Sequence, residues 1–306
     1  MSLINALPGA SAQGLIWGIM AIGVYLTFRI LDVADLTVDG TMCTGGAVCV
    51  MMMTSGHNVW VSLLVATLAG MTAGLVTGIF HTFMGIPAIL AGILTQLGLY
   101  SVNLRIMGNK ANVALVTDKY DVLVSMRYLK NVVFYKNTLF VVAVIIVVLI
   151  AILYWFFGTE LGCSIRSTGS NENMSRAQGI NTDLTKIIGL MLSNGIVALS
   201  SGLLTQYQGF ADINMGRGAI VIGLAAVIIG EVVFGKISRN FAFSLLTVAL
   251  GSIIYYLVLQ VVLWLGLNSN DLKLLSALVV AVFLAIPYMK RKYFSKPVKK
   301  GGARRA

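Results

Sequence analysis

Apolar residues run through this chain in long blocks, and polar residues gather at a few places between them. No Asp, Glu, Lys or Arg occurs in residues 1–28, 40–104, 137–159, 187–211 or 240–270. Within these blocks, runs such as Phe140-Val141-Val142-Ala143-Val144-Ile145-Ile146-Val147-Val148-Leu149-Ile150 do not alternate. That excludes the strands of a closed membrane barrel, which alternate apolar and polar positions. A helix crosses the hydrocarbon core with about 20 residues. The block 40–104 therefore holds three segments, divided at Ser55-Gly56-His57-Asn58 and at Met84-Gly85-Ile86-Pro87, where Gly and Pro interrupt helices. The predicted segments are 12–31, 40–54, 58–82, 87–105, 138–158, 187–208, 217–235, 241–266 and 272–289. The second is short, and fits either a crossing or a broken half-helix paired with the first. The expected fold is an all-α polytopic integral membrane protein of about 8–10 transmembrane helices, one of them open to a broken or re-entrant form.

Composition agrees. Hydrophobic residues make up 58% and charged residues 11%, where soluble chains carry about 25% charged. A mean hydropathy of +0.90 excludes a disordered chain, a secreted disulfide scaffold and an ordinary cytosolic enzyme. Residues 1–289 read as a single membrane domain and 290–306 as a basic tail. The net charge is +11, and Lys290, Arg291, Lys292, Lys296, Lys299, Lys300, Arg304 and Arg305 crowd that tail unopposed. Basic residues mark the cytoplasmic side, so the tail is expected there. Counting back puts 236–240 and 159–186 on the same side. The loop 106–136 falls outside although it holds Lys110, Lys119, Arg127, Lys130 and Lys136; the rule weakens in longer loops, and the more charged tail decides. The plain reading of the tail is a solvated stop, with anionic lipid as a secondary contact. Nucleic acid is not expected, because no stacking aromatics or folded module accompany the charge.

Little points to catalysis. Cys43, Cys49 and Cys163 lack metal-ligand spacing, and the two histidines, His57 and His81, lie at segment ends, so no metal site is expected. No basic residue precedes the first apolar run, so it reads as a retained helix and not a cleavable signal. The stretch Gly230-Glu231-Val232-Val233-Phe234-Gly235-Lys236-Ile237 resembles a phosphate-binding loop, but Ile237 stands where magnesium needs Ser or Thr and no strand precedes it. Glu231 is the acid placed well inside an apolar segment. Proton relay is one role for it; a structural hydrogen bond or a partner contact is favoured, because no second intramembrane acid or base accompanies it.

Three sets of residues recur at helical spacing. Gly70, Gly74 and Gly78 form a small-residue stripe of the kind that lets helices approach closely. Gln96, Tyr100 and Asn103 share one face of the fourth segment, and Ser252, Tyr256 and Gln260 one face of the eighth. Asn194 lies in the sixth with Ser193, Ser200 and Ser201. Such groups either hydrogen-bond between helices or line a solute passage, and both readings stand. Asp32, Asp35 and Asp39 between the first two segments read as a solvated turn, with Asp39 able to cap the helix that follows. In the loop 159–186, Ser170 or Asn171 caps a helix of about two turns, Glu172 suits its positive end and Gly179 its stop. Such a short polar helix between two spans either tidies a surface loop or offers a docking surface.

At this loop the chain resembles the permease subunits of ATP-binding-cassette importers, in the branch that includes ribose and branched-chain amino-acid permeases. The family's cytoplasmic pattern is matched by Gly162, Ile165, Arg166, Gly169, Asn171, Gly179 and Ile180; Ser167 and Ser175 stand where the pattern usually has alanine. Asp35-Leu36-Thr37-Val38-Asp39-Gly40, Gly92-Ile93-Leu94-Thr95-Gln96, Asn103-Leu104-Arg105-Ile106-Met107-Gly108 and Ile228-Ile229-Gly230-Glu231 are similar to a subgroup associated with tryptophan- or tyrosine-type uptake. The resemblance implies a non-enzymatic subunit of a bacterial inner or plasma membrane, working as one of two permease copies, a homodimer among the expected forms. A separate cytoplasmic ATPase would bind ATP and magnesium, leaving this chain without a cofactor. An extracytoplasmic solute-binding lipoprotein would deliver an amino acid of aromatic type. Arg166, Gly169, Ser170, Asn171, Glu172, Arg176 and Gly179 would couple to the ATPase, and Gln96, Tyr100, Asn103, Asn194, Tyr256 and Gln260 are candidates for the pathway. A sugar or nucleoside permease is the alternative within the family, and an ion-coupled carrier using Glu231 the alternative outside it.

Overall fold

The computed structural model describes residues 3–116, 120–129, 137–235, 240–265, 274, 276–283 and 285. The basic tail, Lys236 and Arg239 lie outside the described residues. The observed helices are α1 (Leu3–Tyr25), α2 (Thr37–Thr54), α3 (Val59–Thr82), α4 (Ala88–Ile106), α5 (Thr138–Phe156), α6 (Glu160–Ser170), α7 (Glu172–Ala177), α8 (Thr182–Gln208), α9 (Ala219–Phe234) and α10 (Phe241–Trp264). The expected apolar segments up to 241–266 appear as helices; of the last, 272–289, helical residues over 276–283 are described and most of the remainder lies outside the described residues. Among the described residues, six helices are long and apolar enough to cross a membrane. The shorter α2 and α9 reach about 27 and 24 Å at ~1.5 Å per residue, somewhat less than the ~30 Å core.

Local chemistry sets the boundaries. Asn side chains cap α3, α5, α7 and α8: Asn58 accepts from Trp60 N, Asn137 from Leu139 N, Asn171 from Met174 N and Asn181 from Leu184 N. Gly209, at φ 80°, ends α8 in the left-handed conformation that favours glycine. The first span begins at Leu3, earlier than expected, and ends in a π-turn at Leu26–Ile30. The chain then leaves the helical path before α2 starts at Thr37.

α8 is the central pillar, with 27 residues and most of them buried. Lipid tails are as apolar as leucine, so helices here are held by close packing and hydrogen bonds. The stripe Gly70, Gly74 and Gly78 on α3 faces α8: a Cβ at Gly70 would strike Ala198 and Asn194, at Gly74 the Leu190 carbonyl, and at Gly78 Ile187 at 3.0 Å. Gly45 on α2 meets Ala198 from the other side. Ser193 Oγ donates to Gly23 O and Ser200 Oγ to Ile16 O, both 2.7 Å, tying α8 to α1. Ser252 Oγ on α10 donates to Gly14 O at 2.6 Å.

A two-stranded antiparallel ribbon, β1 (Asn112–Ala114) with β2 (Phe210–Asp212), joins the loop after α4 to the segment after α8. It marks one end of the molecule. The beginning of α1 lies there too, because Tyr207 Oη donates to Gly9 O at 3.2 Å. The α6–α7 corner marks the opposite end, against the close of α1: a Cβ at Gly169 would collide with Ile30 O.

Candidate functional site

Between α2 and α4 lies a cavity of about 280 Å³, lined among others by Asp39, Cys43, Gln96, Tyr100, Asn103 and Arg217. The three polar positions spaced along α4 in the sequence therefore converge on one space. Gly40 eases it: a Cβ there would sit 3.0–3.1 Å from Leu99 and Gln96, tight enough that α4 would have to shift by a few tenths of an ångström. Asn103 is 1% exposed; its Nδ2 donates to Gly40 O at 3.3 Å, and its Oδ1 accepts nothing among the described residues.

The floor of the cavity comes from the segment between α8 and α9, which folds back along α2. Cys43 Sγ donates to Asp212 O at 3.7 Å. Asp39 accepts from Gly218 N at 2.9 Å and from Ile220 N at 3.0 Å. This corrects the sequence reading of Asp39. It lies inside the first turn of α2 and caps α9 instead of its own helix, where its negative charge meets the positive helix end. Gly216 allows the approach, since a Cβ there would collide with Asp39 O.

A second cavity of about 510 Å³ opens between α1, α9 and α10, lined by Gln13, Trp17, Tyr256 and Gln260 among others. Trp17 and Tyr256 pack with ring centroids 5.9 Å apart, and the buried Trp17 Nε1 has no acceptor among the described residues. Arg217 lines both cavities and, among the described residues, is the one cation lining either. The sequence reading passed over Arg217, Cys43 and Trp17. One signal was available for the first: Arg217 is the only Lys or Arg between Lys186 and Lys236.

Asn194 lines neither cavity. It is fully buried at the centre of a polar knot. Its Nδ2 donates to Asp35 Oδ2 at 2.7 Å and Leu190 O at 3.0 Å, and its Oδ1 accepts from Thr41 at 2.6 Å. Asp35 Oδ1 accepts from Thr37 N at 2.9 Å. Thr37, Thr77 and Thr95 continue the chain of hydroxyls at 2.7 and 2.9 Å. The expected solvated turn is therefore wrong for Asp35, which is 2% exposed and serves as an interior acceptor. Buried polar groups must be paired, and here the pairing joins α2, α3, α4 and α8. Glu231 is also not solitary: Arg29 Nε lies 2.9 Å away, with side chains 57% and 36% exposed. Such a surface pair is worth about 0–1 kcal/mol and reads as structural. The stretch from Gly230 lies within the continuous helix α9 up to Phe234, not a strand-to-loop turn; Ile237 lies outside the described residues.

At the other end, the expected two-turn helix is α7, with Asn171 as its cap and Gly179, at φ 84°, after its close. A second helix, α6, precedes it, capped by Thr159. Ser167 Oγ and Ser175 Oγ, both standing where the family pattern usually has alanine, lie 2.7 Å apart and join α6 to α7. Glu172 binds Arg176 at 2.9 Å and Lys186 at 2.8 Å, riveting α7 to the first turns of α8. The Lys186 hydrogen bond, aided by the Lys186 and Arg176 charges, holds the Glu172 carboxyl below its usual range despite partial desolvation. Arg166 lies over the Phe241 ring at 5.7 Å. Arg166, Glu172 and Arg176 thus all have partners within the chain. Ser170, Asn171, Asn173 and Met174 face outward, Met174 at 47%. Among the described residues, no group of three or more His, Cys, Asp or Glu comes together.

Residues 8–287 match the family described as branched-chain amino acid transport system / permease component. The chain is 41% identical to a tyrosine transport system permease protein of Clostridioides difficile, covering 92% of this chain and 91% of that one. It is 27% identical to a fructose import permease protein of Bifidobacterium longum, covering 89% and 74%. Among solved structures it is similar to PsaBC from Streptococcus pneumoniae in complex with Fab, with a TM-score of 0.54, 15% identity and coverage of 95% and 97%. That last likeness speaks to the fold alone.

Proposed function

This chain belongs to the branched-chain amino acid transport system / permease component family, and from that premise we propose that it forms the passage for an aromatic-type amino acid in an ATP-driven importer. It is a multi-pass membrane transport subunit and not an enzyme. The amino-acid assignment is supported by the tyrosine-system relative at 41% identity. A sugar is the weaker reading, since the fructose-system relative is at 27% and a sugar leaves the charged lining unanswered. Gln96, Tyr100 and Asn103 line one stage of the passage, and Tyr256 and Gln260 face a second space on the far side of Arg217.

A cytoplasmic ATPase docks on the α6–α7 corner, binds ATP and magnesium, and supplies the work. A second permease copy completes the membrane unit, and a solute-binding lipoprotein delivers solute at the ribbon end. The observation that carries this reading is the seating of α7. It presents Asn173 and Met174 outward while Glu172 locks it to Lys186 of α8. A force on α7 then reaches α8, against which α2 and α3 pack. Ligands bias two-state elements of this kind through differential contacts.

Arg166, Glu172 and Arg176 hold the corner together, so alanine at those positions tests the corner's integrity and not its docking alone. Met174→Asp is the cleaner probe, placing a charge on an exposed apolar tip. Co-purification with the ATPase and permease-stimulated ATP hydrolysis should both fall by about tenfold or more, as for an interface anchor worth ~1.4 kcal/mol or more. Unchanged values in a monodisperse variant would remove α7 from the interface.

A further inference from the structure

We propose that Arg217 is the anchor for the substrate's α-carboxylate, and that the α2–α4 cavity is a waypoint built for a zwitterion. This deepens the amino-acid reading and rests on it. Arg217 lines both cavities, and among the described residues it makes no ion pair. Asp39 shares the smaller cavity, but its two oxygens already accept from Gly218 N and Ile220 N. The fixed anion is thus occupied by backbone while the cation keeps its fork of donors, the geometry that binds carboxylates bidentately. Asn103 supplies the complement. Its buried Oδ1 accepts nothing among the described residues, and an ammonium group is a donor without acceptor capacity. Leu97 and Tyr100 give an apolar and aromatic wall for a side chain.

Electrostatics selects among solutes. In a chain with so few charges, a cavity that offers one uncommitted cation and one unserved amide oxygen accommodates a molecule with a carboxylate and an ammonium. Arg217 is exposed to these open spaces, so a neutral sugar seated against it would displace water from the guanidinium without supplying the carboxylate that replaces it. The volume of about 280 Å³ sits at the lower edge of ordinary ligand pockets, roughly 300–1,000 Å³, which suits a single amino acid. Arg217 also borders the larger cavity, so the carboxylate stays held by one residue as the rest of the solute passes from one space to the other.

The test uses the assembled importer in proteoliposomes, with radiolabelled L-tyrosine carried by the binding protein. Arg217→Gln should lower initial uptake by about tenfold or more, the loss expected for a charge-assisted contact. Arg217→Lys should retain clearly more uptake than Arg217→Gln. Co-purification of the ATPase reports that each variant is folded. Wild-type uptake by the Gln variant, or equal losses in both variants, overturns the assignment. A second measurement needs no variant at position 217. Thermal unfolding of the detergent-purified permease–ATPase complex, without the binding protein, should be opposed by free L-tyrosine and not by tyramine, which lacks the carboxylate. Equal protection by both, or by neither, also overturns it. The two levels separate cleanly: a wild-type complex that takes up no amino acid sinks the amino-acid reading and the anchor with it, whereas wild-type uptake that survives Arg217→Gln sinks only the anchor.

Discussion

Asp35 meets two donors, the Thr37 amide and the Asn194 side-chain amide, and needs both of its oxygens to accept. Asparagine cannot replace it, because one end of an amide is a donor and would face a donor. Asp35→Asn and Asn194→Asp should each lower stability by about 1–2 kcal/mol, toward the lower end because hydrogen bonds within membranes are modest. The double exchange should recover part of the loss, because Leu190 O no longer has the donor that Asn194 Nδ2 supplies. The carboxylate then stands on α8, where it accepts from Thr41 and from the side-chain amide now carried at position 35. Thermal unfolding of the detergent-purified variants reads this; additive losses in the double variant would show that the two side chains do not act as a pair. The role of Asp35 was not legible in the sequence, and that of Asn194 was one of two readings left open. Asp35 lies in an Asp-rich stretch that reads as a turn, and Asn194 in a serine-rich helix that reads equally as a passage. Only the partner across 159 positions distinguishes a knot from a lining.

Helices were read more fully than contacts. Charge-free blocks of the right length and Gly or Pro breaks gave most of the apolar segments, and Asn171 and Gly179 gave the bounds of α7. α6 was not anticipated, although Thr159 and Glu160 form a helix start. Gly162 and Gly169 lower helix propensity, and only the fold explains them: a Cβ at either would collide with the Phe156–Phe157 backbone or with Ile30. The joint between α7 and α8 makes a pH prediction. Glu172 titrates below its ordinary value of 4.5 in the folded chain. A depressed carboxyl contributes stability that is fully present above its unfolded value and lost as pH falls through its folded value. Protection of α7 and the first turns of α8 from hydrogen exchange should therefore be flat above about pH 4.5 and decline below it. Glu172→Gln should weaken that protection at neutral pH and flatten its acid dependence, with Arg176, Lys186 and Asp183 the facing charges.

For the whole molecule, orientation is the property charge counting left under tension, because the outer loop is itself basic. The structure fixes relative sides: the start of α1, the ribbon and the end of α8 share one end, and α6 and α7 the other. Cys163 offers a native reporter, since it is exposed on α6 while Cys43 and Cys49 are buried. A membrane-impermeant maleimide should label Cys163 only after cells are permeabilised if the α6–α7 end is cytoplasmic; labelling of intact cells would invert the orientation. The sequence by itself determined that this is a helical membrane protein, where its helices run, and which short polar helix stands apart, because length, hydropathy and capping are local properties of a chain. It also set the glycine stripe, whose spacing is a property of one helix. The tertiary structure decided which polar groups face each other. Asp39 capping α9, Asn103 and Arg217 meeting in one cavity, and Asn194 withdrawn into a knot all depend on residues brought together from distant segments, and a hydrophobic pattern specifies burial without specifying the partner.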